Sequence, residues 1–485
     1  MTKKYITDDH TITFRNGVIT DGDRKVEISS QTSVAFSSST VITSPDNKSY
    51  FGLSVFVSGT RAVITAPNGL SGGSGGRGYI YNYDGESWNL SARISGSHID
   101  TDDGIQFGGV DGNDQKRHTR AVHALGDRVL VGALYEERDN DNHYQGAAYM
   151  YTSQSSGWAR TRLQVTGASS TSNGGFGSSV LLGDDFFAVG HPNEYQDLAY
   201  ENTGNTQGVI FTFNYGETNG NNYVQILTSS DRGSAQKFGS AMAFDYKNRF
   251  LVTRQDGPST ERVEIFGSSS AKGWNTTQKI TTDAGYSDSE YGQSLDCCDD
   301  YLIVGAPNDR PGGDSLRGTA FIYKYSGGNY SLEQTLSGSA AGQYFGRSVT
   351  ISSASQGAKE GTPGIITAVV GSQLDNADGE DGMAHVYQSS SDGGWSLTSE
   401  MKSTSDDSGG YDDDYATSLY LDGDFLLVGS YGEESYGRCY MYQPQITLIS
   451  NETSPLMRFN SKGPFNLRLQ SNASNYKTFI GDSKS

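Results

Sequence analysis

Residues 291–325, YGQSLDCCDDYLIVGAPNDRPGGDSLRGTAFIYKY, decide the fold. The stretch opens on an aromatic-glycine pair, Tyr291-Gly292, and alternates briefly before an acidic turn at Asp299-Asp300. That is the first strand of a hairpin. The apolar run 301–304 then leads into Gly305-Ala306-Pro307, where glycine and proline break a strand. After a polar loop, Gly318 opens a third strand, TAFIYKY, whose aromatics alternate with smaller residues at the period of two.

The same landmarks recur along the chain. The aromatic-glycine pair or a close variant begins at Phe51, Phe107, Phe176, Phe238, Tyr291, Phe345 and Tyr415. Second strands end ITAP, VGAL, VGHP, VTRQ, VGAP, VGSQ and VGSY, all in register with the pair. Third strands read GYIYNY from Gly78, GAAYMY from Gly146, GVIFTF from Gly208, RVEIF from Arg262, GTAFIY from Gly318, GMAHVY from Gly382 and GRCYMY from Gly437. A fourth strand starts on Trp88, Trp158, Tyr223, Trp274, Tyr330 or Trp395, a slot that takes all 4 tryptophans of the chain. Regular placement at a blade edge reads as packing rather than as a sugar-stacking series. Four short strands repeated seven times predict an all-β, seven-bladed β-propeller, in which each blade buries its faces against its neighbours.

The pattern FG...SV...GD..LVGAP...G..YIY resembles the FG-GAP repeat of the integrin α-subunit head, and the resemblance spans residues 51–442. It implies a seven-bladed propeller used in adhesion. It is weakest around Phe238, where the Gly-Ala-Pro element has become Thr253-Arg254-Gln255. Integrin-type blades often carry a Ca²⁺ loop between the first two strands. Here those turns are tight (Ser58-Gly59, Gly183-Asp184, Asp299-Asp300, Asp422-Gly423), so the family's metal ligands do not carry over.

Composition agrees with this reading. Glycine supplies 62 of 485 residues, about 13 % against a usual ~7 %, as many turns and close strand contacts require. The 11 % of aromatics at fixed positions does not suit a disordered chain. A net charge of −20 makes nucleic acid a poor partner. The 3 cysteines do not form a disulfide framework. No signal-peptide core and no bilayer-length apolar run is present, so the expected protein is soluble, with no membrane insertion. It would reach a virion or the extracellular space by a non-standard route.

Three parts are expected: an N-terminal extension over 1–30, the propeller over 31–442, and a C-terminal extension over 443–485. The last repeat lacks an aromatic-led fourth strand. Residues 34–43 are expected to close the ring as its outer strand, with 446–450 as the rival. Long, variable segments join second to third strands and one blade to the next, which predicts one acidic, irregular rim opposite a rim of tight turns. Residues 352–364 and 111–119 are expected on the opposite rim. On the long-loop rim Glu136, Asn142, Tyr195, Asp309, Asp412 and Asp413 are candidate contacts for a protein or glycan ligand, or for other subunits of a viral particle.

Two acidic loops are candidate Ca²⁺ sites, one with Asp375, Asp378, Glu380 and Asp381, the other with Asp139 and Asp141. Ca²⁺ takes six to eight oxygens from a flexible loop, and a solvated acidic loop explains the same residues. The 7 histidines are scattered among the repeats without HExxH spacing, and no GxSxG elbow, P-loop or CxxC occurs. Residues 390–395, SSDGGW, resemble the Asp-box of sialidase propellers, without an identifiable arginine cluster. The sequence therefore predicts no enzyme. It predicts a binding or adhesion propeller on a virion or cell surface, or alternatively a structural subunit of a capsid or tail anchored by its termini.

Overall fold

In the computed structural model of the chain, the described residues are 3–6, 11–15, 18–21, 24–47, 50–67, 76–96, 107–108, 120–134, 136, 146–165, 175–192, 208–217, 220, 222–229, 237–247, 250–255, 261–268, 273–281, 288–313, 316–353, 366–373, 382–390, 393–403, 414–423, 425–433, 436–450 and 467–471. They form seven antiparallel sheets of the propeller type, and the only helical element among them is one 3-10 turn, Pro311–Gly313. Blade 1 comprises Val55–Ser58, Arg61–Ala66, Arg77–Tyr83 and Trp88–Ser95; blade 2 comprises Val122–Leu125, Arg128–Ala133, Ala147–Gln154 and Gly157–Leu163. Blade 3 is Val180–Leu182, Phe186–His191, Val209–Asn214 and Gln225–Leu227; blade 4 is Met242–Asp245, Phe250–Gln255, Arg262–Gly267 and Asn275–Thr281. Blade 5 is Ser294–Cys298, Tyr301–Ala306, Thr319–Ser326 and Asn329–Ser337; blade 6 is Ser348–Ser353, Ile366–Ser372, Met383–Ser389 and Trp395–Lys402. Blade 7 takes Tyr415–Asp422, Phe425–Ser430 and Arg438–Ser450 from the end of the chain and Arg24–Thr43 from its beginning.

The core lies between the sheets. Its buried apolar residues fall into seven clusters, each drawn from two adjacent blades. One of them joins Phe425 and Leu427 of blade 7 and Ile42 of its outer strand to Phe51 and Val55 of blade 1, which closes the ring. The fourth-strand aromatics pack backwards onto the preceding blade. Trp88 meets Phe425 edge-on at 4.9 Å, Trp274 meets Phe186 at 5.0 Å and Trp395 meets Tyr301 at 5.7 Å, separations at which ring pairs attract beyond their buried area.

The sequence landmarks are the joints between blades. A Cβ added at Gly132, Gly190, Gly305, Gly371 or Gly429, each near the end of a second strand, would stand 1.8 to 2.1 Å from a carbonyl oxygen of the next blade's aromatic-glycine pair. Only glycine fits there. A serine at the start of the first strand donates to the same carbonyl: Ser179 to Gly239 at 2.6 Å, Ser294 to Gly346 at 2.8 Å, and likewise Ser348 to Ala416 and Ser418 to Gly52. Two blades lack the glycine. In blade 1 Thr65 takes its place and donates to Gly108 O at 2.6 Å, while in blade 4 Thr253 donates to Ala241 O of its own blade at 2.9 Å.

Thr43 back to Ser39 pair with Arg438 to Tyr442, so the fourth strand of blade 7 comes from the N-terminal side. Residues 446–450 pair instead with the stretch from Val34 back to Ile28, outside the ring, and run parallel to Leu467–Ser471. Lys3–Ile6, Thr11–Arg15 and Val18–Asp21 extend the same sheet, which reaches eight strands. Two long strands thus run unbroken across the expected boundaries at 30/31 and 442/443.

Two register expectations need correction. In blade 1 the glycine equivalent to Gly146 is Gly76, not Gly78, because Tyr79 faces Ile64 as Tyr149 faces Val131. Residues 111–119, expected on the tight-turn rim, lie outside the described residues, and their described flanks do not lie at that rim. Phe107 bridges Ala133 at the end of the second strand, and Ala121 accepts from Gly132 N at 2.8 Å, so both flanks lie at the long-loop rim.

Candidate functional site

First strands line the propeller axis. The residue after each aromatic-glycine pair is held at the long-loop end of that axis: Leu53, Ser178, Ser240, Gln293, Arg347 and Thr417. In blade 2 the residue after the pair, 109, lies outside the described residues, and Arg120 borders the axial cavity. Of these, Leu53, Gln293, Arg347 and Thr417 line a cavity of about 50 Å³, together with Ser54, Arg120 and Ser294.

An ion pair forms its floor. Arg120 Nη1 donates to Asp296 Oδ1 at 2.9 Å, Nη2 reaches Val349 O at 3.3 Å, and the guanidinium lies 4.9 Å from the Tyr420 ring centre. Asp296, only 5 % exposed, also accepts from Thr350 Oγ1 at 2.7 Å and Ile351 N at 3.0 Å through its other oxygen. Blades 2, 5, 6 and 7 are tied together at one point. Burial alone would lower the Arg120 pKa, but the Asp296 carboxylate beside it raises it.

Towards the tight-turn rim an aromatic plug follows. Phe56 stacks between His123 at 4.2 Å and Tyr420 at 4.0 Å. Burial, and after it the Arg120 charge, pushes the His123 pKa down to about 3. Burial likewise holds His191 at about 3. Both histidines are neutral in the fold, and protonating them below the ordinary histidine range opposes folding.

Arg347 differs from the other axial residues. Its side chain borders the cavity and the residue is 4 % exposed, yet Nε has no hydrogen-bond partner, and the guanidinium forms no ion pair among the described residues. Burial lowers its pKa, partly opposed by Tyr431, Glu290 and Asp414 nearby. Asp414 is itself engaged, accepting from Gln373 Nε2. A second concavity, of about 720 Å³, lies between blades 1 and 2 and is bordered by Arg93, Tyr151, Trp158 and Arg160.

Of the residues singled out in the sequence, Asp375, Asp378, Glu380, Asp381, Asp139, Asp141, Asn142, Tyr195, Asp412 and Asp413 lie outside the described residues. Among the described residues no group of three or more His, Cys, Asp or Glu is arranged to hold a metal ion. Glu136 and Asp309 are described, and they correct the expectation of partner contacts. Glu136 is fully buried, accepting from Tyr149 Oη and, at 2.6 Å, from Arg162 Nε. Asp309, 6 % exposed, caps its own turn through Arg310 N at 2.9 Å.

These acids are the loop's internal anchor. Glu433 in blade 7 has the same place, with Tyr440 Oη at 2.7 Å and Arg438 Nη1 at 3.0 Å. All three share two backbone bonds: Glu136, Asp309 and Glu433 donate to Ala133, Ala306 and Ser430, and accept from Gly146, Gly318 and Gly437. The signal was in the sequence, since each acid is the fifth residue after the valine of its VG pair.

The fold and its joints define a seven-bladed β-propeller whose blades are stitched through aromatic-glycine and VGAP elements. The FG-GAP repeat family matches residues 274–323, from the fourth strand of blade 4 to the third strand of blade 5. No curated protein matches the chain. Similar solved structures include the NanB sialidase of Streptococcus pneumoniae, at 12 % identity and TM-score 0.41 over 84 % of this chain and 70 % of that one. The periplasmic gluconolactonase PpgL of Pseudomonas aeruginosa is 13 % identical, with TM-score 0.40 over 81 % and 92 %. The Dos1 propeller is 11 % identical, with TM-score 0.39 over 90 % and 89 %. The expectation of no enzyme is corrected here: two of these propellers, the sialidase and the gluconolactonase, are enzymes, and the fold alone does not settle whether this chain is one.

Proposed function

We propose that the chain is a binding or adhesion propeller, displayed on a virion or cell surface, that presents its long-loop rim to a protein or glycan. One observation carries this reading. On a ring closed by seven apolar joints, the connections after Ala66, Ala133, His191, Gln255, Ala306, Ser372 and Ser430 all leave from the same rim, while turns such as Ser58 to Arg61 and Leu125 to Arg128 are tight on the other. Loops on a rigid scaffold can vary without disturbing the core, which is why binding concentrates there. No helix among the described residues is long and apolar enough to cross a membrane.

The test is loop exchange. Replacing 375–381 by a short Gly-Ser turn is expected to abolish binding in a glycan array and a cell-binding assay while leaving the melting temperature within about 1 °C of the parent, since a surface change away from packed features costs little. Undiminished binding by the exchanged protein would overturn the assignment to that loop.

The eight-stranded sheet of blade 7 favours a second reading, a structural subunit anchored through its termini. The ring needs only the four innermost strands, and the remaining strands continue outward, where an edge offers unpaired backbone groups to another chain. Deleting 1–23 or 451–485 would then abolish incorporation into an assembly without opening the ring.

A further inference from the structure

We propose that the axial cavity is a binding site for a small monoanionic carboxylate, with Arg347 as its principal donor and Arg120 and Gln293 beside it. Three observations converge. The first is an unmet demand: Arg347 is 4 % exposed, borders the cavity, and has a buried Nε without a hydrogen-bond partner. Leaving such a group unpaired is costly, and a planar guanidinium matches a carboxylate with two parallel N–H···O bonds.

The second is charge balance. The cavity wall holds two guanidinium groups, of which only Arg120 is hydrogen-bonded to a carboxylate, that of Asp296, which is also committed to Thr350 and Ile351. Glu290 and Asp414 lie near enough to Arg347 to affect its titration, but neither forms an ion pair with it. One bound negative charge therefore completes the set. A dianion would oppose Asp296.

The third is size. About 50 Å³ is room for roughly three to five water-sized probes at ~10–15 Å³ each, which suits a carboxylate with one to three carbons. The wall is mixed, with Ser54, Ser294 and Thr417 beside Leu53, Leu295 and Leu419, which suits a carboxylate carrying a short alkyl group. This site lies below the rim loops, and the inference does not rest on what those loops recognise.

The test uses the full chain and melting temperature, with formate and acetate as probes against chloride at matched ionic strength and pH, and acetamide as the uncharged counterpart of acetate. Acetate is expected to raise the melting temperature of the wild type saturably, by roughly 2 °C, and acetamide not at all. Arg347→Met removes the demand. Its melting temperature in chloride is expected to equal or exceed that of the wild type, because an unpaired buried charge has been replaced by an apolar side chain, and the acetate effect is expected to vanish. Arg347→Lys, which keeps the charge and loses the planar fork, should retain less than half of the effect. A peptide with a free C-terminal carboxylate, too large to enter, should give no shift.

Three results would overturn the proposal: no difference between acetate and chloride in the wild type, an acetate effect that survives in Arg347→Met, or a lower melting temperature of Arg347→Met in chloride. A shift given by the peptide and not by acetate would reject the small acid in favour of a protein terminus. None of these outcomes touches the loop-exchange experiment, which reads partner binding and not melting.

Discussion

Replacing Gly305 with alanine is expected to destabilise the protein by about 3 kcal/mol, at the upper end of the usual cost of overpacking. The added methyl would stand 2.0 Å from Gly346 O and 2.3 Å from Ser294 Oγ. Neither neighbour can yield easily. The carbonyl belongs to the aromatic-glycine pair of blade 6, and Ser294 Oγ already donates to it at 2.8 Å. To admit the methyl, blades 5 and 6 must move apart, which opens the cluster in which Ile303 and Ala320 pack on Phe345 and Val349. Gly394→Ala is the control, because its nearest neighbour is Ser390 Oγ at 3.5 Å, and it is expected to change stability by less than about 0.5 kcal/mol. Urea denaturation of the two variants reads the difference. Equal midpoints would mean that the glycine is not a joint.

Replacing Asp296 with alanine is the second large effect, expected at about 3–5 kcal/mol. The carboxylate is 5 % exposed and accepts from Arg120, Thr350 and the backbone of Ile351 and Cys297. Its loss strands the Arg120 charge on the axis and frees Thr350 Oγ1, which also accepts from Leu421 N of blade 7 at 3.1 Å. The energy here comes from leaving one partner behind. Adding Arg120→Met to the Asp296→Ala background should therefore recover about 2 kcal/mol, giving a double-mutant cycle far from additive. Additive losses would show that the two side chains do not depend on each other.

Most of the ring was legible because its landmarks are constrained by contact. Gly305 cannot carry a side chain, Ser294 must reach a carbonyl, and Trp274 fills the seam between blades 3 and 4, so these residue types return at fixed places in one repeat after another. Where the contact changes, so does the landmark. Thr253 and Arg254 replace Gly-Ala at the joint where the nearest atom to a Gly292 Cβ is Arg254 Cγ at 3.1 Å.

The axial site was not legible for the opposite reason. Arg120 and Asp296 are 176 residues apart and meet only because the ring closes. Arg120 follows an insertion that hides its register, and Asp296 reads as an ordinary polar position in an alternating strand. Arg347 could have been found, since it is the one charged residue at the position that elsewhere reads Leu53, Ser178, Ser240, Gln293 and Thr417. The acidic loops misled in a further way. Glu136 and Asp309 looked like surface charge, but both are buried and held by the same two backbone bonds, and the fixed distance from the preceding valine was the mark of a structural role.

Everything depends on seven blades closing on themselves through a strand from the beginning of the chain. End-on particle averages by electron cryomicroscopy test this most directly. The expected image has seven spokes around the axial cavity, with Arg24–Thr43 on the outside of the spoke that carries Arg438–Ser450. Six or eight spokes, or a gap between the first and last blades, would contradict it.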